Sequence, residues 1–229
     1  MNLDVITANL PKLLQGAALT LELVALSLLA GALLALPLAL MRVSERRWLR
    51  VPAYAYIFVF RGTPLLVQIF LVYYGLGQFA GVRASALWPI LREPYWCAII
   101  AFALNTAAYT AEILRGAIQA VPVGEVEAAK AFGMSRALSL RRIILPRAFG
   151  IALPAYGNEV ILMLKGSALA STITLLDLTG MARTIIARTY MPVEIFLAAG
   201  LIYLAVTFVF VQLFRLLERR LGRHLAAAR

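Results

Sequence analysis

The sequence is poor in charge and in the residue types that build catalytic or metal centres. Only 14% of its 229 residues are charged, against about 25% in an ordinary soluble domain. A single cysteine, Cys97, and a single histidine, His224, exclude a disulfide framework and a Cys/His metal cluster. Because that histidine lies in a basic tail, it cannot complete a Ser-His-Asp triad inside an apolar segment.

Several sequence signatures are also missing. No G-x-x-x-x-G-K-[ST] phosphate loop occurs, so we expect the chain itself not to bind ATP in the usual way. No internal repeat, low-complexity tract or linker divides the chain, which predicts one membrane domain over residues 1–229. The N-terminal stretch MNLDVITANLPK has an acidic residue, Asp4, and no basic n-region ahead of the first apolar run, which argues against a cleaved signal peptide.

Apolar residues, by contrast, are abundant. They make up 62% of the chain, and the mean hydropathy is +0.86. A soluble fold of this size could not bury that much apolar surface, so the composition predicts a membrane protein and excludes intrinsic disorder.

Five segments are candidates for helices that cross a membrane, which takes about 20 apolar residues. The segments are Ala17–Met41, Val51–Gln78, Pro94–Leu114, Ala148–Ala170 and Val193–Leu217. Polar residues interrupt the fourth segment, which a membrane protein tolerates where they face a protein interior or a wet cavity. The predicted fold class is an all-α membrane protein with five transmembrane helices, plus a short outer-face helix within Ile173–Tyr190.

The charge distribution predicts the orientation of these helices. The chain has 22 basic and 11 acidic residues, and 14 of the basic ones lie in residues 42–50, in residues 119–147 and in the tail from Arg215. The positive-inside rule then places the N-terminus outside and the C-terminus inside. Because the basic residues lie mainly between apolar spans, they indicate topology, and we expect no nucleic acid partner.

Residues 122–147, between the third and fourth spans, are too short and too polar to cross a membrane. Pro122 suits a helix start and Gly133 a helix end, and a second helix over Arg136–Leu145 is predicted to stop at Pro146. The residues alone leave two interpretations open. The segment is an amphipathic hairpin anchored in lipid headgroups, or it is a docking surface for a cytoplasmic protein.

A motif in this segment resembles the EAA loop of bacterial ABC-importer permeases. The stretch EAAKAFGMSRALSLRRIILP keeps Glu-Ala-Ala, three residues, Gly, nine residues, Ile, any residue and Leu-Pro. The matching residues are Glu127, Ala128, Ala129, Gly133, Ile143, Leu145 and Pro146. The resemblance implies that these residues couple to an ATPase subunit, whose closure they transmit to the membrane helices. Residues 122–147 are called the coupling segment below.

The resemblance covers nearly the whole chain. The stretches YIFVFRGTPLLVQIFLVYYGLGQF, LNTAAYTAEILRGAIQAVP and NEVILMLKGSALASTITLLDLTG are similar to permeases for polar amino acids, above all those for histidine, arginine and opines. This implies a type I importer permease in a bacterial inner membrane. It also implies a second permease (identical or sister), two subunits that bind ATP and Mg, and an external substrate-binding protein. The chain itself would then hold no cofactor and perform no catalysis.

Charged residues within the predicted spans include Arg61, Glu112 and Glu159. For Arg61 we expect a structural role, paired with a carboxylate or with carbonyls freed where Gly62 and Pro64 break the helix. For Glu112 we expect pairing with Arg115 or with the coupling segment.

The third, Glu159, has no basic residue one helical turn away, because Lys165 lies on another face. A carboxylate of this kind suits a cationic substrate side chain, and the family resemblance implies an acidic residue here in permeases for basic amino acids. The alternative is a polar contact between helices, with Asn105 or Tyr109. The predicted substrate-binding residues are Glu159, Asn158, Asn105 and Tyr109.

Other functions remain open at this point. A permease for neutral polar amino acids such as glutamine would share the coupling motif. An ion-coupled carrier that works alone usually has a longer chain with paired repeats. A structural subunit without a translocation path would leave Glu159 and Asn158 without a role in transport.

Overall fold

The computed structural model describes residues 3–226, with side chains as far as Arg220. The tail residue Arg229 and the side chains of Arg223 and His224 lie outside the described part. The helices are α1 Leu3–Val43, α2 Arg47–Gly62, α3 Leu65–Phe70, α4 Ala80–Arg83, α5 Trp88–Leu91, α6 Pro94–Gln119, α7 Val123–Ala131, α8 Arg136–Ser139, α9 Leu145–Gly166, α10 Leu178–Thr189 and α11 Pro192–Ala226. No strand occurs between residues 3 and 226.

Three of these helices, α1, α6 and α11, are individually long and apolar enough to cross a membrane. Two bent pairs raise the number of candidate spans to five. The pair Arg47–Gly62 and Leu65–Gln78 bends by 106°, and the pair Arg136–Ile173 and Leu178–Thr189 bends by 49°. The predicted all-helical architecture is therefore confirmed, with three to five spans by length and composition.

The predicted span over Val51–Gln78 contains the helix break that is expected at Gly62 and Pro64. The helix is interrupted between α2 and α3, where Thr63 and Pro64 have extended backbone angles (ψ 145° and 136°). Proline has no amide hydrogen and its ring disfavours helical geometry in the preceding residue, so the helix must end before Pro64.

The predicted end of the second coupling-segment helix at Pro146 is wrong, because the chain stays helical through this residue. A wider turn over Leu140–Ile144 joins α8 to α9, and the Leu145 N–H donates to the Leu140 carbonyl five residues back. This widened turn accommodates proline, which lies in the first turn of α9 and has no N–H to donate. The coupling segment therefore continues directly into α9. The predicted helix within Ile173–Tyr190 is present as α10.

Helix α6 is the centre of the bundle. In its most apolar stretch 72% of the residues are buried, against 33% in α1 and 17% in α11. Its packing face is rich in alanine, which lets neighbouring helices approach closely where lipid offers no hydrophobic driving force. The buried alanines of α6 include Ala101, Ala107, Ala108 and Ala111.

Helix α1 approaches α6 closely at Gly31. A methyl group built there would collide with the Thr106 side chain and lie 3.1 Å from the Ala103 carbonyl oxygen. Only glycine lets the two helices pack at this distance, so this contact fixes the position of Thr106.

We predict that Gly31→Val destabilises the folded protein by about 2 kcal/mol or more, because the added side chain overpacks the α1–α6 contact. The measurement is the midpoint of thermal unfolding in detergent. Gly200→Ala is the matched control, since nothing lies within 4 Å of a methyl group at that position. Equal midpoints for both variants would contradict the packing argument.

Candidate functional site

The break between α2 and α3 is held together by amide side chains. The buried Gln68 Nε2 lies 2.8 Å from the Phe60 carbonyl oxygen and 3.1 Å from that of Thr63. Asn105 on α6 donates from Nδ2 to Gln68 Oε1 (2.9 Å) and approaches the same Phe60 oxygen at 3.3 Å. These contacts provide hydrogen bonds to backbone carbonyls that lose their helical partners at the break. Without them, water would have to bind those carbonyls.

A cavity of about 470 Å³ opens beside this break. Residues from α2, α3, α6 and α9 line it. They are Arg61, Gly62, Thr63, Pro64, Leu65, Asn105, Tyr109, Glu159, Leu162 and Met163. The structure thus brings three of the four predicted substrate-binding residues together: Asn105, Tyr109 and Glu159.

Glu159 is 5% exposed and accepts a hydrogen bond from the Thr106 hydroxyl, at 2.9 Å. The predicted alternative for Glu159, an interhelical contact with Asn105 or Tyr109, is thus replaced by a contact with Thr106. The sequence did not predict Thr106 as the partner of Glu159, because a threonine in an apolar helix has no distinguishing pattern.

Arg61 is the cation of the cavity. Its guanidinium stacks over the Tyr109 ring, 5.1 Å from the ring centroid, and lines the same cavity as Glu159. The expected pairing of Arg61 with a carboxylate or with freed carbonyls is not found among the described residues. Gln68 and Asn105 take those carbonyls instead, and Arg61 lines the cavity.

Asn158 is not brought to this cavity. It is exposed on another face of α9, as is Lys165, because adjacent residues on a helix point about 100° apart. Asn158 and Glu159 are neighbours in the sequence, but this rotation places their side chains on different faces of α9.

A second cavity, of about 330 Å³, shares Arg61, Gly62 and Tyr109 with the first. Glu112 lies at its wall and pairs with Arg115 at 2.8 Å, which confirms the predicted partner, and with Arg42 at 3.1 Å. The Arg61–Tyr109 stack thus lies where the two cavities meet.

The coupling segment forms a hairpin whose motif residues are largely on its surface. Glu127 and Ala128 are exposed, Ala129 is buried, Ile143 and Leu145 are half-buried, and Pro146 is exposed. Gly133 has φ of +73°, a backbone conformation that L side chains rarely adopt, so the reversal after α7 requires glycine there.

An ion pair ties this hairpin to α9. Both oxygens of Glu125 on α7 lie 3.0 Å from Arg147 Nε, and Arg147 Nη2 also donates to Glu125 Oε1. The hydrogen-bonded guanidinium lowers the pKa of the Glu125 carboxyl below its ordinary value. A bidentate pair of this kind fixes geometry as well as distance.

Comparison with known proteins identifies the family. The model for "Binding-protein-dependent transport system inner membrane component" matches residues 27–223. The octopine transport system permease protein OccM of Rhizobium meliloti is 58% identical over 206 residues, which cover 90% of this chain and 84% of that protein. The histidine/lysine/arginine/ornithine transport system permease protein HisM of Salmonella typhimurium is 46% identical over 213 residues, covering 93% and 91%.

A solved structure agrees with the sequence matches. The crystal structure of an amino acid ABC transporter with histidines superposes with a TM-score of 0.86 and 39% identity, and it covers 96% of this chain and 99% of that one. The fold is the predicted type I importer permease fold. The chain therefore belongs to the family of binding-protein-dependent transport system inner membrane components.

Proposed function

We propose that this permease lines half of the translocation path of an ATP-driven importer for basic amino acids or opines. Its relatives OccM and HisM are named for octopine and for histidine, lysine, arginine and ornithine. Those compounds share a carboxylate at one end and a cationic or protonatable group at the other. Family membership argues against an ion-coupled carrier that works alone.

The observation that carries the substrate class is that Glu159 and Arg61 line one cavity. Arg61 offers a planar fork of donors that suits an α-carboxylate, and Glu159 offers an anion for a cationic side chain. A volume of about 470 Å³ is within the range of small-molecule sites. A neutral substrate such as glutamine would satisfy Arg61 but would leave Glu159 without a cation, which is costly in a desolvated site.

The same proposal covers the assembly. The chain is a single domain over residues 1–229 with its N-terminus outside and its C-terminus inside the bacterial inner membrane. It pairs with a second permease, identical or sister, and with two cytoplasmic subunits that hold ATP and Mg. An external binding protein delivers the substrate, and this chain carries no cofactor of its own.

The coupling segment links ATP hydrolysis to the cavity. Its exposed residues Glu127 and Ala128 are placed to contact an ATPase subunit. The Glu125–Arg147 ion pair and the continuous helical path through Pro146 join the hairpin to α9. Because α9 also carries Glu159, a push on the hairpin moves one wall of the cavity.

We predict that Glu159→Gln lowers ATP-driven arginine uptake by about tenfold or more, because the amide cannot pair with the cationic side chain. The measurement is uptake of labelled arginine into vesicles that carry the assembled complex, with unlabelled histidine, lysine, octopine and glutamine as competitors.

Lys165→Gln is the matched control, since Lys165 lies on the same helix but outside the cavity. Equal uptake by wild type and Glu159→Gln would show that Glu159 is structural. Uptake of glutamine without arginine would overturn the substrate class and leave the importer function intact.

We predict that Glu125→Gln uncouples transport while the complex still assembles, and that the double variant Glu125→Arg/Arg147→Glu partly restores uptake. The ion pair is intact at neutral pH and is lost as the pH falls through the lowered pKa of Glu125. The measurements are uptake and ATPase co-purification. Glu127→Lys is the contrasting variant, because we expect the ATPase subunit no longer to co-purify with it. Normal uptake by Glu125→Gln would contradict this role of the ion pair.

A further inference from the structure

Three cations surround two adjoining cavities at the end of the bundle opposite the coupling segment. Arg183 and Arg188 line a cavity of about 420 Å³ on α10. Arg188 and Lys12 of α1 line its neighbour, of about 270 Å³, and both cavities share Leu176 and Thr184. All three cationic side chains are exposed.

These cations differ from the other basic residues near the same end. Arg92 pairs with Glu93 at 3.4 Å, and Arg83 donates to the Gly77 carbonyl at 3.1 Å. Lys12, Arg183 and Arg188 make no ion pair with any other residue in the described part of the chain. Their charge is therefore available to a partner.

The fold holds this surface rigidly. The buried Asp177 side chain caps α10 by accepting from the Thr179 and Gly180 amides, and the Thr20 hydroxyl on α1 accepts from the Leu178 amide at 3.0 Å. Leu13 and Ile185 belong to one buried cluster that packs α10 on α1.

An aromatic side chain ends the same helix. Tyr190, two residues after Arg188, is 85% exposed and has φ of +56°. A bulky residue in the left-handed region is unusual where glycine or asparagine would be unstrained. Tyrosine and arginine, with tryptophan, are enriched among the residues that carry most of the binding energy of protein interfaces.

We infer that Lys12, Arg183, Arg188 and Tyr190, called the α10 surface, dock an acidic surface of the external substrate-binding protein. The inference rests on the proposed function, which requires such a protein at this end. The Asn9 side-chain amide on a cavity wall donates one N–H to the Val5 carbonyl and has a second N–H for a carboxylate of that protein.

A protein partner is favoured over anionic lipid headgroups because the cations lie on two different helices around concave cavities. Ser171 belongs to the turn that extends α9, so a docked protein would contact the helix that carries Glu159. Docking at the α10 surface would thereby act on the cavity lined by Glu159, from the side opposite the ATPase.

The test uses the assembled complex in nanodiscs of zwitterionic lipid, with its cognate binding protein saturated with arginine. We expect Arg183→Glu/Arg188→Glu to raise the binding-protein concentration for half-maximal ATP hydrolysis by about tenfold or more, with basal hydrolysis unchanged. Arg92→Glu is the matched control, since that cation is already paired. Raising the salt concentration should weaken docking of wild type more than that of the double variant.

An unchanged half-maximal concentration in the double variant would overturn the α10 surface. So would a shift seen only when anionic lipid is added to the nanodiscs, which would identify a headgroup site. If the double variant does not assemble, the wild-type complex still provides a test. A binding-protein concentration for half-maximal ATP hydrolysis that does not change with salt would also overturn the docking role of the α10 surface. A wild-type complex that ignores the binding protein altogether would contradict the proposed function as well.

Discussion

Burial of the Glu159 carboxylate is the constraint on which the rest of the site depends. A charge inside a membrane span costs several kcal/mol unless partners or a wet cavity replace water, roughly 2.5–3.5 kcal/mol on insertion scales. Thr106 supplies a hydrogen bond, and Arg61 places an opposite charge on the wall of the same cavity. Thr106 in turn depends on the close contact that Gly31 permits between α1 and α6.

The interrupted helix formed by α2 and α3 contributes to the same site from the other wall of the cavity. A continuous helix over α2 and α3 would satisfy its own carbonyls and would have no reason to recruit Gln68 and Asn105. The break instead places Arg61 and the exposed turn after it beside Glu159. The break therefore lies where an open, polar site is needed, and the two amide side chains stabilise it.

Sequence patterns predicted the parts of this protein that depend on local chemistry. Hydropathy predicted helices in every apolar segment, the spacing from Glu127 to Pro146 predicted the coupling segment and the family, and the anomaly of a lone carboxylate pointed to Glu159. The sequence did not reveal the stacking of Arg61 on Tyr109, or Thr106 as the partner of Glu159, because these contacts join residues 48 and 53 positions apart. Asn158 lies outside the site because successive residues of a helix point in different directions. The chain stays helical at Pro146 because the turn before it is widened, although proline alone would end the helix.

The most direct test of the account is equilibrium binding of labelled arginine to the assembled complex without its binding protein. Two competitors separate the two charges: agmatine has the guanidinium but no carboxylate, and glutamine has the carboxylate but a neutral side chain. If Arg61 and Glu159 each bind one end of the substrate, both compounds compete at least about tenfold more weakly than arginine. Agmatine that competes as well as arginine would contradict the role of Arg61, and glutamine that does so would contradict the role of Glu159.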